Sequence, residues 1–314
     1  MISEIVECIQ QKTSFAITSH ARPDGDAIGS ELGLALALRE TGKEVTIINA
    51  DPHPSSYAQL PGIDTIQIGN RLEGSFDAVF VLECSSLART GLHGLDQHFI
   101  INIDHHPKNE NYGNLRWFDA GAAAVGEMIY RLLEEAQIAI SPDVATNLYV
   151  SLISDTGSFK FSNTTVRTFE IAAKLVEAGA NPGQIAELVY MNQPVSRVRL
   201  LSLLLDTLEF HPSGKISWMK LDQQMLEQTG TSSRDTEGLV NYALGIDGVL
   251  MCVLFREEKD YIRASLRSKG EFDIGSVAES LGGGGHRNAA GVTLTGSYSE
   301  VRDRVVQELE KKLQ

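Results

Sequence analysis

The sequence predicts an α/β protein in which a parallel sheet fills the N-terminal two thirds and a smaller α/β domain follows. Three observations carry this reading. Short β-rich apolar runs alternate with segments of helical period from Ser14 to about Ala186. Those runs are almost continuously apolar, as strands buried on both faces of a sheet are. The rhythm then changes, and 314 residues are long for a single core, so two domains are the natural division.

In chain order, "SFAITSH" reads as the first strand and "AIGSELGLALALRETG" as a helix stopped by Gly42. The runs "EVTIINAD", "AVFVLECS" and "FIINIDHH" follow as buried strands. Helices are predicted at "AVGEMIYRLLEEA", "SPDVATNLYVSLISDTG" and "TVRTFEIAAKLVEAGA", the last closed by glycine. "PVSRVRLLSLLLDTLEF", opened by Pro194, reads as a connecting helix. The expected boundaries are 1–188 for the first domain, 189–207 for the connector and 208–314 for the second domain. Within the last, "KISWMKL", "GVLMCVLFREE" and "YIRASLRS" are strand-like.

Composition narrows the function. With 42% hydrophobic and 22% charged residues the chain is an ordinary globular one. The opening "MISEIVECIQQKTSF" lacks the basic start and apolar core of a signal peptide, and no apolar run is long enough to span a bilayer. A cytoplasmic protein without membrane contact is expected. Cys8, Cys84 and Cys252 form no CxxC pattern and read as core residues rather than disulfides or a thiolate zinc site. A balance of 27 basic against 41 acidic residues, net −14, disfavours a protein that coats nucleic acid through an extended basic surface. A small anionic substrate stays compatible where bound metal or a few placed cations reverse the local field.

The informative polar residues fall at strand ends. His20, Asp24 and Asp26 lie in "SHARPDGDAIGS" after the first strand, Glu83 ends "AVFVLE", and Asp104, His105 and His106 end "FIINIDHH". Asp155, in "LISDTGS", ends a helix-like run. Open parallel sheets bind ligands outside the carboxyl ends of their strands, so these groups are expected on one rim. An Asp-Gly step after a strand is also an ordinary turn or helix N-cap, and adjacent histidines can be plain surface residues. Coincidence at several strand ends favours a site. Four or more carboxylates desolvated together require compensating cations. Imidazole with carboxylate and no thiolate suits Mn²⁺ better than Mg²⁺ or Ca²⁺, with Zn²⁺, Fe²⁺ and Co²⁺ also chemically compatible. The number of ligands favours two divalent ions bridged by one carboxylate; such a pair, about 3.5–4 Å apart, activates water and stabilises displacement at phosphorus. His53, His93, His98 and His211 lack this context and read as surface or loop residues.

Taken in order, "HARPDGDAIGS", the "DHH" at Asp104 to His106, "SDTGSF" around Asp155 and "GGGGHRNAAG" at Gly282 to Gly291 resemble the DHH/DHHA1 phosphoesterase family over nearly the whole chain. The compact two-domain length is similar to that of the NrnA-like oligoribonucleases, or nanoRNases, which also remove the 3′-phosphate of pAp. The resemblance implies an N-terminal parallel-sheet DHH domain that binds the metals and a C-terminal α/β DHHA1 domain that binds substrate. It implies that His20 and Asp24 hold one Mn²⁺, that Asp26, His105 and Asp155 hold the other, and that position 83 bridges them. His106 then stands near the scissile phosphate as a phosphate contact or general acid, and Asp104 orients the histidines. The family has aspartate at position 83, whereas this chain has Glu83, which keeps the charge and adds a methylene. That leaves open a bridge from a backbone set further back, coordination of one ion only, or a nucleotide-binding protein with weakened catalysis.

Four consecutive glycines in "SLGGGGHRNAAG" are costly to order unless the backbone closely approaches something, such as an anion; a flexible hinge is the plainer alternative. The apolar continuation "AAGVTL" favours an ordered loop entering a strand. In "YIRASLRSKG", Arg263, Ser265 and Arg267 share one strand face. The resemblance implies substrate contacts from Arg267, Ser268, Gly283, Gly284, Gly285, His286 and Arg287. Tyr112, Phe159, Phe161 and Tyr190 are candidates to stack on a base, although each is more ordinarily a core residue.

The expected function is Mn²⁺-dependent hydrolysis of short oligoribonucleotides to mononucleotides in the cleft between the domains, with pAp and linear dinucleotides such as pApA as further substrates. Another DHH phosphodiesterase, acting on cyclic dinucleotides or single-stranded DNA, is the alternative. The expected partners are short RNA or small nucleotides; a homodimer is one assembly the sequence leaves open.

Overall fold

Apolar alternation builds two separate sheets in the computed structural model, which describes residues 2–313 and divides between Asn192 and Gln193. The N-terminal unit runs α1 (Ile2–Gln11), β1 (Ser14–Thr18), α2 (Gly25–Glu40), β2 (Glu44–Asn49), β3 (Ile66–Ile68), β4 (Ala78–Leu82), β5 (Ile100–Asp104), β6 (Leu115–Phe118), α3 (Val125–Glu135), α4 (Pro142–Asp155), α5 (Val166–Glu177) and α6 (Pro182–Ala186). Its strands are ordered β3-β2-β1-β4-β5-β6 and every pairing is parallel. The order reverses between β1 and β4, and a doubly wound sheet binds ligands in the crevice beyond that reversal.

Strand alternation sorts the core. Phe15, Ile17, Phe80, Leu82, Ile101 and Ile103 pack under the helices, while Ala16, Val79, Val81 and Ile100 face the opposite side. That second side is covered by loops and 3₁₀ turns between residues 50 and 99. Helix α2 is buried on almost every side because α4 lies directly against its backbone. A Cβ at Gly29 would stand 2.5 Å from the Asn147 carbonyl, so only glycine permits this approach. Beyond the elements expected from sequence, the unit contains α1, β3, β6 and α6; β3 is three residues long and carries no strong strand signal.

The C-terminal unit runs α7 (Val195–Leu205), β7 (Glu209–Phe210), β8 (Ile216–Leu221), α8 (Gln223–Thr229), α9 (Val240–Leu244), β9 (Met251–Glu257), β10 (Ile262–Ser268), α10 (Ile274–Ser280), β11 (Gly284–Gly285), β12 (Ala289–Leu294) and α11 (Tyr298–Glu310). The sheet order is β11-β12-β10-β9-β8-β7; it is antiparallel except for the β8–β9 pair. Met219, Leu221, Cys252 and Leu254 face one layer that includes Leu200 and Leu204 of α7. The body of the expected connector is therefore packed into this unit's core. Trp218, Val253, Phe255, Ala264 and Val292 face the other layer, closed by α10 and α11. All three cysteines are buried and free. Among the described residues no helix is long and apolar enough to cross a membrane.

Candidate metal centre and active site

The strands on either side of the sheet reversal deliver the first candidate donors. β1 leads into His20, β4 leads into Glu83, and the neighbouring β5 ends at Asp104 followed by His105 and His106. Asp24 does two things. Its Oδ1 accepts the Asp26 and Ala27 N–H groups, both at 3.1 Å, as the N-cap of α2. Its Oδ2 stands 3.9 Å from His20 Nε2. The N-cap reading of this segment is thus met by one oxygen, which leaves the other facing His20.

Asp26, in the first turn of α2, is fully buried. Its Oδ1 accepts Ser151 Oγ at 2.5 Å, Ser30 Oγ at 3.0 Å and the Gly126 N–H at 3.2 Å. Its Oδ2 accepts the Val125 N–H at 2.8 Å and lies 3.8 Å from His105 Nε2. The N-terminus of α3 thereby fixes which oxygen faces the cluster. His105 Nδ1 donates to the Ala122 carbonyl at 3.0 Å, and His20 Nδ1 donates to the Ala21 carbonyl at 2.9 Å. Because a carbonyl only accepts, each Nε2 is left as a lone-pair donor, the second-nitrogen pattern of metal-binding histidines. Asn163 Nδ2 ties the loop at Ala123 to the backbone of Asp155, donating to the two carbonyls at 2.9 and 3.1 Å.

Two sets of donor atoms result. His20, Asp24 and Glu83 form one, and Asp26, His105 and Asp155 form the other; within each set the donor atoms lie within 4.8 Å of one another. Glu83 Oε2 joins them, 3.3 Å from His105 Nε2, which is itself 3.5 Å from Asp155 Oδ2. Glu83 Oε2 is also 3.4 Å from His106 Nδ1, and that nitrogen is held by Asp104 Oδ1 at 2.8 Å. Glu83 stands on a backbone with φ +52°, left-handed and unusual for a non-glycine residue.

Electrostatics show what this set requires. Burial pushes the Asp26 carboxyl up to about 7, reinforced by Glu83, and burial likewise raises Asp155 well above the carboxylate range. Burial would raise Glu83 too, but the His106 and His105 imidazoles override it and hold it well below its ordinary value. Against the desolvation that opposes their charge, Glu83 and Asp104 lift His106 to about 10, and Glu83 lifts His105 well above the ordinary imidazole value. Four carboxylates crowded around two imidazoles are poorly balanced by this chain's own charges. The donor set, carboxylate oxygens with correctly oriented imidazole nitrogens and no thiolate, fits divalent cations.

The other expected residues divide. Arg267 shares the partly exposed face of β10 with Arg263 and Ser265. Ser268 does not: it is buried, and its hydroxyl donates to the Phe272 carbonyl at 2.6 Å and accepts Asn288 Nδ2 at 2.8 Å. Strand alternation turns it away from Arg267, onto the opposite face of the sheet. Arg287 is paired with Glu271 at 2.5 Å. Gly284 and Gly285 form an edge strand against Gly291 and Ala290, and His286 opens the turn into β12. A Cβ would lie 2.2 Å from the Gly291 carbonyl at Gly283 and 2.5 Å from the Ala289 carbonyl at Gly285, whereas at Gly284 it meets nothing within 4 Å. Close strand approach accounts for two of the four glycines, and Gly284 has no such internal reason.

Of the aromatic candidates, Phe159 packs between Tyr149 and Phe169, Phe161 lies against Gly157, and the Tyr112 hydroxyl is committed to the Cys84 carbonyl. Tyr190, on a π-helical turn (Glu187–Met191), is 47% exposed and its hydroxyl accepts Ser158 Oγ at 2.8 Å. Sequence reasoning missed Ser30, Ser151, Asn102, Asn109 and Asn163, neutral residues whose roles show only in their side-chain contacts, some local and some distant in sequence.

Comparison with known proteins agrees with this layout. The DHH family N-terminal domain matches residues 14–152 and the DHHA1 domain matches residues 219–314. The "Bifunctional oligoribonuclease and PAP phosphatase NrnA" of Thermus thermophilus is 31% identical, with 98% of this chain and 94% of that protein covered. The Bacillus subtilis protein of the same name is 30% identical over 99% of this chain and 98% of its own length. Among solved structures, an exopolyphosphatase-related protein from Bacteroides fragilis superposes with TM-score 0.88 at 26% identity, covering 99% of this chain and 95% of that one. Thermus thermophilus RecJ, solved in complex with Mn²⁺, shares the fold at TM-score 0.57 and 14% identity, with 99% of this chain and 54% of RecJ covered.

Proposed function

Because the chain belongs to the DHH phosphoesterase family, hydrolases acting on phosphoester bonds, we propose that it is a Mn²⁺-dependent enzyme that degrades very short RNAs to mononucleotides and removes the 3′-phosphate of pAp. The observation that carries this reading is the pair of three-residue donor sets meeting at Glu83 Oε2. His20 and Asp24 would hold one ion, Asp26, His105 and Asp155 the other, and Glu83 both. Two such ions, when bound, would supply an activated water and neutralise the charge that develops at phosphorus.

The chain's own groups do the rest. Four donors clamp Asp26 so that Oδ2 alone faces the cluster. Asp104 holds His106 Nδ1–H, so Nε2 carries the mobile proton. With Glu83 and Asp104 favouring the imidazolium, that proton can be given to a phosphoryl or leaving oxygen. Arg267 and His286, with Gly283, Gly284 and Gly285, are assigned to the substrate's nucleotide or terminal phosphate. A few placed cations suffice for a substrate of this size, whereas a long nucleic acid would meet a chain of net charge −14.

The test is hydrolysis of a labelled RNA ladder of two to a few tens of nucleotides, beside pAp, with Mn²⁺ and with Asp26→Ala and His105→Ala as controls. Release of mononucleotides from the shortest RNAs, lost in both variants, is expected. A wild type that binds Mn²⁺ and cleaves neither RNA nor pAp refutes the proposal.

A further inference from the structure

Glutamate at φ +52° is a strained arrangement, and such residues persist only where the surroundings over-determine them. At Glu83 the surroundings are specific. The next carbonyl, that of Cys84, accepts the Tyr112 hydroxyl at 2.6 Å and the Asn102 side-chain amide at 3.3 Å. The same amide, its two N–H groups shared among three acceptors, also reaches Tyr112 Oη at 2.9 Å and the Val81 carbonyl at 3.2 Å, near the end of β4 just before Glu83. A backbone bond from Glu110 N–H to the Ser85 carbonyl, 2.9 Å, ties the same two loops. Burial pushes the Tyr112 phenol up, so it remains a donor.

A second branch leaves Asn102 in the other direction. Its Oδ1 accepts Asn109 Nδ2 at 2.9 Å, and that amide also donates to Asp104 Oδ2 at 2.6 Å. Asp104 in turn orients His106. One branch thus ends on the backbone that aims Glu83, and the other ends on His106.

We propose that Tyr112, supported by Asn102, is a positioning residue that holds the left-handed Glu83 turn and thereby sets the site's affinity for its cations, while Asn109 positions His106 separately through Asp104. The inference rests on the two-cation reading of the site. Neither Tyr112 nor Asn109 is assigned a contact with substrate.

The test uses the full chain with Tyr112→Phe, which removes only the hydroxyl, beside Asn109→Ala. Free Mn²⁺ is followed by electron paramagnetic resonance during titration of the protein without substrate, and kcat and KM are measured on a dinucleotide. Tyr112→Phe is expected to weaken Mn²⁺ binding about tenfold and to lower kcat with KM within about twofold. Asn109→Ala is expected to lower kcat by a similar factor while Mn²⁺ binding stays at the wild-type level. Asn102→Ser, which removes the other donor to Cys84, gives the Mn²⁺ readout independently and is expected to follow Tyr112→Phe. Unaltered Mn²⁺ affinity in Tyr112→Phe, or an equal loss in Asn109→Ala, overturns the proposal. A wild type that binds no Mn²⁺ overturns the two-cation reading and this inference with it.

Discussion

Shortening Glu83, the carboxylate proposed to serve both cations, is the sharpest test of the site geometry. Glu83→Asp withdraws the oxygen by one carbon–carbon bond, about 1.5 Å. Glu83 Oε2 now stands 3.3 Å from His105 Nε2 and 3.4 Å from His106 Nδ1, between the two donor sets. Metal–oxygen bonds near 2.0–2.2 Å do not stretch by such an amount. Misplacement on the order of 1 Å costs about 10²-fold in rate, or about 2.7 kcal/mol of transition-state stabilisation. The backbone supplies an internal control, because a φ of +52° is tolerated better by aspartate than by glutamate. Glu83→Asp is therefore expected to melt no earlier than wild type while its kcat/KM on a dinucleotide with Mn²⁺ falls about 10²-fold. Turnover equal to or above wild type would refute the claim that this turn is fitted to a glutamate. An inert wild type rescued by the aspartate would go further and recast the protein as a nucleotide binder.

Three other outcomes follow from the geometry. Gly284→Ala, where a Cβ meets no atom within 4 Å, should leave thermal stability unchanged and raise KM about tenfold, because it intrudes only on a ligand; an unaltered KM would remove Gly284 from the substrate site. Glu31 is fully buried, accepts Asn49 Nδ2 at 2.8 Å, and burial, with a smaller contribution from Asp24, raises its carboxyl to about 7. The unfolded chain ionises near 4.5, so its contribution is intact below that value and is lost as pH rises to 7, about 3 kcal/mol in all. In urea titrations Glu31→Gln should therefore match wild type near pH 4.5 and exceed its stability at pH 8; equal stabilities at both would contradict the assignment. Tyr190→Ala should raise KM for dinucleotides several-fold if the exposed ring stacks on a base, and an unchanged KM would exclude that role.

The strand ends were legible because parallel-sheet runs are apolar and their carboxyl ends stand out as abrupt charge. That signal singled out His20, Asp24, Asp26, Glu83, His105 and Asp155 as candidates without any contact information, and the structure brings their donor atoms together. It was silent on what aims them. Ser151 reaches Asp26 from α4, and Asn102 and Tyr112 reach Cys84 from β5 and the loop after it, contacts that no local pattern encodes. The glycine run was ambiguous for a different reason. Steric need at Gly283 and Gly285 and open space at Gly284 look identical in sequence. Arg267 and Ser268 were read as parts of one motif, whereas period-two alternation places the two on opposite faces.

The reversal of strand order also has a bearing on how the molecule is made. β1 pairs with β4, Phe15 against Ala78, across two intervening strands. A nascent chain that ended at β3 could close only β1, β2 and β3, holding His20, Asp24 and Asp26 and none of their partners. The last acidic member, Asp155, arrives only when α4 has been synthesised. Assembly of the centre is thus a long-range event of high contact order, slow compared with forming any one helix. A cation that binds the finished arrangement in preference to the unfinished one would draw folding of the whole N-terminal unit forward by mass action.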